Sequence, residues 1–499
     1  MSTKAARPQG FTDAIVQRRV HRGRDQFLQH ITKEKVLALA SSRRPGLTCD
    51  YFKDPERGSY NLCCFVEFED GQKWVVRIPL APCLASGPRS KLEREIATMQ
   101  LIAEKTTIPL PKIYAYQLGD DSEPLSSFVI LEYVDGRPLS AAEVDSLSVD
   151  QQTRLYTSLA DIYIQLRRLI FPSIGCLTWG SSGVEVLKQT ATIDLNMQDL
   201  EGLRPSEIQT RYGQGGVLSS ATDYTTMLLN LADNALSKSR SRILKQDQGE
   251  DVLYHHHLFR RFVTEAWLNK DLDTGPFVLV HGDLQPFNCM VNERMEITSV
   301  LDWEWSRVVP VQYMQPPLWL TGHNTEFLAL KYPYLLFLEK FDEFLKITKE
   351  LEGQKYGDHL LSREWEQRKS NGGFLVANAL ENWTDIDGFS TRFINREWFG
   401  GLEDAPKRVE TFVCEDPTRR VLVERLCHAN KIYKKDLQQL DDFDRAYYPR
   451  DTTTAPSPSP SRPLFGTWES SVTGVITTTL ALGSLVVAVA FGVWKKRSL

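Results

Sequence analysis

Three polar residues stand at spacings that suit phosphoryl-transfer chemistry. Asp283 lies in the segment HGDLQPFN between two apolar runs, Asn288 follows five residues later, and Asp302 comes after a further apolar run. A loop carboxylate such as Asp283 can accept or hold the proton of a hydroxyl group. An amide oxygen and a second carboxylate can coordinate Mg²⁺, which prefers oxygen ligands and leaves positions for substrate phosphates. Together these groups are the set that phosphoryl transfer requires.

The same residues have a structural alternative. An aspartate beside a glycine, as in Gly282-Asp283, often belongs only to a turn, and an asparagine before a strand is often a cap. The order of the three groups, with apolar runs between them, favours the chemical interpretation.

The surrounding patterns predict two lobes. Residues 60–80 predict two strands joined at Asp70-Gly71, a pair that suits a hairpin turn. A helix is predicted over residues 90–106, because its apolar residues recur at helical spacing. Two further strands are predicted within 109–120 and 126–136. The chain after residue 136 is mostly helical in pattern.

The H-G-D-x-x-x-x-N loop, followed by a strand and D-W-E, resembles the aminoglycoside phosphotransferase and choline kinase branch of the protein-kinase-like superfamily. The segments WVVRIP, EREIAT, TTIPLPKIYAY and FVILEYVDGRPL stand in the order of that family, so the resemblance spans residues 55–330. FPSIGCLTW and QPPLWLTG are similar to its fungal members. The resemblance implies a bilobal α+β fold, with a small antiparallel-sheet lobe carrying one helix and a large, mainly helical lobe.

The resemblance also implies roles for individual residues. Asp283 would be the catalytic base, His281 would support the loop backbone, and Asn288 and Asp302 would bind Mg²⁺. The function implied is ATP- or GTP-dependent transfer of the γ-phosphoryl group to a hydroxyl of a small molecule. The residues that would hold the nucleotide are Arg77 with its partner Glu95, the backbone of Glu132 and Tyr133, and Gly58, Ser59 and Asn61 of the phosphate-covering turn.

Two departures from the family pattern leave a second function open. Arg77 stands where the wider superfamily has lysine, and the two cations are not interchangeable. The turn RGSYN has a single glycine, so its backbone wraps phosphates less freely. The alternative is a catalytically silent protein that binds nucleotide or a partner. Glu95 could also be an exposed acid paired with Lys91, and Glu304 either supports the metal site or is solvated.

Composition limits the remaining classes. Of the 499 residues, 42% are apolar and 25% are charged, as in soluble globular proteins. The net charge of −5 gives no basic field for nucleic acid. The eight cysteines are scattered without a C-x-x-C pair, which indicates neither a zinc site nor a disulfide framework. The expected partners are a nucleotide and a small-molecule hydroxyl substrate.

The two ends of the chain differ in kind. The N-terminal residues lack a signal-peptide core, and residues 24–40 predict a solvent-facing amphipathic helix. Near the C-terminus an uncharged stretch is long enough, at about 1.5 Å per residue, to cross a bilayer core of about 30 Å. We expect a C-terminal tail anchor in the mitochondrial outer membrane or the endoplasmic reticulum, with the catalytic domain in the cytosol. The predicted regions are 1–50 (helical extension), 51–135 and 136–448 (the two lobes), 449–470 (Pro/Ser-rich linker) and 471–494 (transmembrane helix).

Overall fold

The computed structural model describes residues 11–120, 123–213, 215–323, 325–369, 372–400 and 403–447. Residues 1–440 form one compact unit, and of the second unit only the end of a helix, residues 441–447, is described. The strands are β1 (Cys49–Arg57), β2 (Asn61–Phe68), β3 (Lys73–Pro79), β4 (Ile113–Gln117), β5 (Phe128–Glu132), β6 (Arg137–Pro138), β7 (Ile170–Phe171), β8 (Cys176–Gly180), β9 (Gly183–Lys188), β10 (Phe277–Val280), β11 (Cys289–Val291), β12 (Ile297–Val300) and β13 (Arg307–Pro310). The helices are α1 (Ala14–Gln29), α2 (Lys33–Ser42), α3 (Gly87–Lys105), α4 (Ala141–Val144), α5 (Val149–Arg168), α6 (Ile193–Leu200), α7 (Ser206–Gln209), α8 (Ala221–Lys238), α9 (Gln246–Phe262), α10 (Thr325–Leu328), α11 (Lys331–Tyr356), α12 (Leu360–Arg368), α13 (Gly373–Leu380), α14 (Asp385–Phe389), α15 (Asn395–Trp398), α16 (Ala405–Glu415) and α17 (Pro417–Tyr447).

A five-stranded antiparallel sheet forms the first lobe, in the order β1-β2-β3-β5-β4. Successive side chains of a strand point to opposite faces of the sheet. In β5, Val129 and Leu131 join the core that contains α3, whereas Phe128 and Ile130 join the core that contains α2. Because helices cover both faces, β5 is apolar from Phe128 to Leu131 instead of alternating.

The N-terminal extension contains two helices where the sequence predicted one over residues 24–40. The chain breaks before α2 because Thr32 caps that helix, its hydroxyl accepting a hydrogen bond from the Lys35 amide at 3.4 Å. Val36 and Ala40 of α2 are fully buried in the core beneath the sheet. This helix is therefore part of the first lobe, and it does not face solvent along its length.

The second lobe is mainly helical and holds three small sheets. β10 pairs with β13 and β7, β11 pairs with β12 and β6, and β8 and β9 form a hairpin. Aromatic pairs connect the long helices: Tyr156 of α5 meets Phe344 of α11, and Tyr163 of α5 meets Trp365 of α12, each with ring centroids 5.4 Å apart. Aromatic pairs at this separation stabilise a core beyond the area that they bury.

The predicted membrane-spanning helix and the membrane localisation based on it are corrected. No helix among the residues that the structure describes is long and apolar enough to cross a membrane. The physical reason is charge, since the two longest helices, α11 and α17, carry acidic and basic side chains along their whole length. The predicted span 471–494 and linker 449–470 lie outside the described residues. The fold is a two-lobed α+β arrangement with no membrane helix assigned.

Glu352 provides a test of how α11 and α12 are joined. Its carboxylate is 1% exposed and accepts hydrogen bonds from the Leu361 amide (2.8 Å) and from the amide (3.0 Å) and hydroxyl (2.6 Å) of Ser362. Glu352→Ala leaves these donors buried without a partner, so we expect a loss of about 2–4 kcal/mol of unfolding free energy. Urea denaturation measures this loss. The matched change Glu350→Ala, on the exposed side of α11, should alter stability by less than about 0.5 kcal/mol; equal effects of the two changes would contradict the assignment.

Candidate active site

The loop that carries Asp283 starts with a glycine turn at the end of β10. Gly282 has φ of +81°, a conformation that glycine adopts without steric cost. A Cβ atom at this position would lie 2.1 Å from the carbonyl oxygen of Trp305. Only glycine therefore allows the loop to approach the Trp303–Trp305 turn so closely.

His281 supports the same loop through two hydrogen bonds. Its side chain is 3% exposed, its Nε2 lies 2.9 Å from the Leu301 carbonyl, and its Nδ1 accepts a hydrogen bond from the Asp283 amide at 3.2 Å. An imidazole that donates through Nε2 and accepts through Nδ1 is neutral. The geometry fits the support role predicted for His281.

Asn288 lies beside Asp283, as the spacing predicted. The Asn288 amide nitrogen donates to the Asp283 carbonyl at 2.7 Å and approaches its carboxylate at 3.4 Å. The backbone carbonyl of Asn288 accepts from the Leu301 amide at 2.8 Å, which draws the loop toward Asp302. The side-chain amide oxygen of Asn288 is left as the group that can face a cation.

Asp302 has a backbone conformation that is uncommon for a residue with a side chain. Its φ of 69° and ψ of 51° place it in the left-handed region directly after β12. Such conformations cost energy and cluster at functional sites. The Asp302 carboxylate contacts the guanidinium of Arg77, so the first lobe and this turn meet here.

Arg77 lies at the centre of a buried ion cluster. It is 6% exposed, pairs with the carboxylate of Glu95 on α3, and donates to Glu304 at 3.1 Å. The predicted Arg77–Glu95 pair is therefore present. Glu304 is 3% exposed, which excludes the solvated alternative for that residue.

Lys91 is a member of the cluster that the sequence reasoning did not identify as functional. Its ammonium group lies 2.9 Å from Glu95, 2.5 Å from Glu304 and 2.7 Å from the Asn61 amide oxygen. Asn61 also donates to Glu304 at 2.7 Å. Lys91 does pair with Glu95, as the alternative interpretation had it, but both residues are fully buried. The i, i+4 spacing was the available signal, and it indicates a pair without indicating burial.

The charges of the cluster determine its protonation. Burial would raise the pKa of Glu304, but Lys91 and Arg77, with hydrogen bonds from Lys91 and Asn61, lower that pKa to about 2. Burial alone would lower the pKa of Arg77, whereas Glu95 and Glu304 raise it. Both groups are therefore ionised at neutral pH.

The carboxylates of Glu95, Asp302 and Glu304 lie close enough to share a metal ion, with their ligand atoms within 4.8 Å. Arg77 and Lys91 already neutralise Glu95 and Glu304. The carboxylate available to a metal is therefore that of Asp302. With the amide oxygen of Asn288 it forms a hard, all-oxygen donor pair that fits Mg²⁺.

The predicted nucleotide contacts are placed as follows. Gly58 and Ser59 are exposed in the turn between β1 and β2, which is closed by a 2.9 Å hydrogen bond from the Gly58 amide to the Asn61 carbonyl. The amides of Glu132 and Tyr133 donate to backbone carbonyls of neighbouring segments, at 2.8 and 3.4 Å. Both amides are therefore occupied. A purine edge that bound at this segment would have to pair with backbone carbonyl groups or with the residues that follow Tyr133.

A cavity of about 160 Å³ opens beside the Asp283 loop. Gly282 and Leu284, which flank Asp283, form one wall. Arg307 and Glu381 lie on another wall, where they form a buried ion pair with two nitrogen–oxygen contacts. Sequence reasoning missed this pair because its members are 74 residues apart and belong to no motif.

Asp194 of α6 adds a titratable group to the same cavity. Burial raises the pKa of Asp194 to about 7; a hydrogen bond from Gln198 opposes this, and Asp385 and Glu381 add to it. The cavity wall therefore combines a carboxyl group that titrates near neutral pH with a fixed ion pair.

Comparison with known proteins places these features in context. The model of the family described as "Phosphotransferase enzyme family" matches residues 52–313, more than half of the chain. "Clavilactone A biosynthesis cluster protein Y" of Ampulloclitocybe clavipes is 26% identical over 327 residues, which are 60% of this chain and 69% of that protein. Macrolide 2′-phosphotransferase type I aligns with 77% of this chain and 97% of its own (12% identity, TM-score 0.38). The GDP complex of aminoglycoside 2′-phosphotransferase-IIIa aligns with 70% and 99% (15% identity, TM-score 0.38).

The low pKa of Glu304 predicts a specific pH dependence of stability. Because that pKa falls from an ordinary value of 4.5 to about 2 on folding, the ionised carboxylate stabilises the protein above pH 4.5 and less so as the pH falls toward 2. Between pH 6 and pH 3.5 the native protein should lose roughly 1 to 2 kcal/mol more unfolding free energy than Glu304→Gln.

Urea denaturation at the two pH values measures this difference. Glu304→Gln will be less stable at both, so the change with pH is the quantity compared. The matched variant Glu293→Gln alters an exposed acid and should follow the native protein. If Glu304→Gln loses as much stability as the native protein, the buried ionised carboxylate is contradicted.

Proposed function

This chain belongs to the phosphotransferase enzyme family, and we propose that it transfers the γ-phosphoryl group of ATP or GTP to a hydroxyl of a small molecule. The observation that carries the proposal is the convergence of Asp283, Asn288 and Asp302 on one loop and turn, next to the buried Arg77 cluster. The family match supports phosphoryl transfer as the class of reaction. The nucleotide and the acceptor class are proposals.

Asp283 is the proposed catalytic residue. The residues on either side of it line the cavity of about 160 Å³, so an acceptor bound there would present its hydroxyl to the Asp283 carboxylate. The carboxylate would orient the hydroxyl and take its proton as the oxygen attacks. His281 and Asn288, through their contacts with Asp283, keep the loop from moving during this step.

Asp302 and the amide oxygen of Asn288 would hold Mg²⁺ together with the nucleotide. When bound, the metal ion supplies positive charge that offsets the charge of the phosphate oxygens. Arg77 contacts Asp302, and its guanidinium matches phosphate oxygens in shape and charge. We infer that Arg77 exchanges part of its contact with Asp302 for the nucleotide phosphates, while Glu95 keeps it in place.

The acceptor is proposed to be a small polar molecule. The cavity is modest in volume and is lined by Asp194, Arg307 and Glu381 among others. Because Arg307 is neutralised by Glu381, Asp194 carries the uncompensated charge of this wall when ionised. A hydroxyl compound with hydrogen-bond donors fits this lining.

A catalytically silent nucleotide-binding protein is the second candidate, and one observation favours it. Arg77 contacts Asp302 directly, which places a fixed cation against the proposed metal ligand. If that contact persists with nucleotide present, Mg²⁺ is excluded and transfer does not occur. Binding of nucleotide without magnesium dependence would then be the expected behaviour.

Two substitutions separate the roles of the carboxylates. Asp283→Asn removes the proton acceptor, so transfer should slow by about 10²–10⁴-fold with little change in nucleotide affinity. Asp302→Asn removes a metal ligand, so it should weaken magnesium-dependent nucleotide binding itself. Calorimetric titration with ATP and GTP, with and without Mg²⁺, measures affinity. Release of phosphate, with water as a slow acceptor, measures transfer.

Asp271→Asn serves as the control, because Asp271 is an exposed acid outside the site. Transfer that survives both site changes would refute the assignment of the two carboxylates. Nucleotide binding that is equally tight with and without Mg²⁺, together with no phosphate release, would establish the silent alternative.

A further inference from the structure

A second cavity lies between α1 and the turn that joins β1 to β2. Its volume is about 420 Å³, within the range of about 300–1,000 Å³ typical of small-ligand sites. Helix α1 contributes Gln17, His21 and Arg24, which share one helical face because they recur at intervals of three and four. On the other side Met197 and Leu200 of α6 provide an apolar wall.

The polar lining of this cavity is basic. His21, Arg24 and Arg57 line it, and none of the lining residues is acidic. Arg24 pairs with Asp25 at 2.8 Å, but that carboxylate is 61% exposed and does not line the cavity. The backbone of Arg57 pairs with Leu62 of β2, but its side chain forms no hydrogen bond or ion pair with any residue that the structure describes. Asp25 therefore offsets the charge of Arg24 only in part, and no acidic residue of the lining offsets the charge of Arg57.

The pKa values of two neighbouring groups reflect this positive charge. The pKa of His21 is lowered by burial and by the nearby Arg24 and Arg57, against the opposing effect of Asp25. Burial raises the pKa of the Cys83 thiol to about 11, although both arginines lower it. The fields of the two arginines thus overlap in the cavity, where they disfavour a further cation and favour an anion.

We propose that this cavity is a binding site for a small phosphate-bearing anion. It shares Gly58 and Ser59 with the turn proposed to cover the nucleotide phosphates, but its lining includes no member of the Arg77 cluster. The two arginines offer planar, paired donors that match phosphate oxygens. The imidazole of His21 adds one more donor. The wall formed by Met197 and Leu200 receives the carbon skeleton of the ligand. This proposal does not depend on the phosphoryl transfer proposed above.

A chain of contacts connects this cavity to the proposed nucleotide site. The turn residue Tyr60 lines the cavity and packs its ring against Trp305 with centroids 5.0 Å apart. The next residue, Asn61, bonds to Lys91 and Glu304. A bound anion would hold the turn in place on one side while the nucleotide meets it on the other. This consequence, unlike the binding itself, rests on the proposed function.

Titration calorimetry of the full chain with inorganic phosphate, at constant ionic strength, with and without saturating ADP and Mg²⁺, tests the proposal. We expect saturable binding that Arg57→Gln weakens about tenfold, since one charge-assisted contact is worth about 1.4 kcal/mol or more. The side chain of Arg57 is exposed and forms no hydrogen bond or ion pair with the described residues, so this change should leave the fold intact. The matched variant Arg294→Gln removes an exposed charge on the β11–β12 hairpin and should bind phosphate as the native chain does.

Three results would overturn the proposal. Absence of saturable phosphate binding excludes the site. Binding that disappears when ADP is present assigns the phosphate to the nucleotide cleft. If Arg57→Gln and the native chain bind phosphate with equal affinity, the basic cavity is not the phosphate-binding site.

Discussion

A buried cluster of two cations and two carboxylates is the interaction on which the geometry of this protein depends. Arg77 and Lys91 face Glu95 and Glu304, and their side chains are at most 7% exposed. Removing such charges from water costs several kcal/mol per ion and is offset only when the groups are fully paired. Here every carboxylate has two cationic partners, and Asn61 adds a further hydrogen bond to Glu304.

The cluster connects four segments that are distant in sequence. Asn61 comes from β2, Arg77 from β3, Lys91 and Glu95 from α3, and Glu304 from the turn after β12. The sheet lobe is thus held against the turn that carries Asp302. Loss of any one charged member removes one of the two partners of each opposite charge, so the elements are constrained as a group. The positions of the phosphate-covering turn and of the proposed metal ligand follow from this constraint.

Local sequence signals predicted the proximity of the residues of the Asp283 loop, because the geometry of this loop is set by local features. The turn at Gly282 needs a glycine, and the strands β10 and β11 on either side of the loop appear as apolar runs. Asp283, Asn288 and Asp302 are therefore brought together by short connections that spacing alone describes. The hairpin at Asp70-Gly71 was predictable for the same reason.

Features that depend on distant segments were not predictable. The i, i+4 spacing of Lys91 and Glu95 is the same in a surface pair and in a buried pair. This pair is buried because Glu304 and Asn61, from other segments, pack against it. The break at Thr32 had a local signal in the capping hydroxyl, but the burial of α2 depends on the sheet that follows it. The predicted membrane helix is contradicted, because no helix among the described residues is long and apolar enough to cross a membrane.

A double-mutant cycle between Lys91 and Glu304 tests the account most directly. Unfolding free energies of the native chain, Lys91→Met, Glu304→Gln and the double variant give the interaction energy of the pair without the separate costs of each change. The account predicts a coupling of about 2–3 kcal/mol, at the upper end for residues in one ion network. Lys105→Met with Glu304→Gln, a pair that combines an exposed lysine of the same helix with the cluster, should show additive effects. A Lys91–Glu304 coupling near zero would contradict the claim that this buried cluster holds the site together.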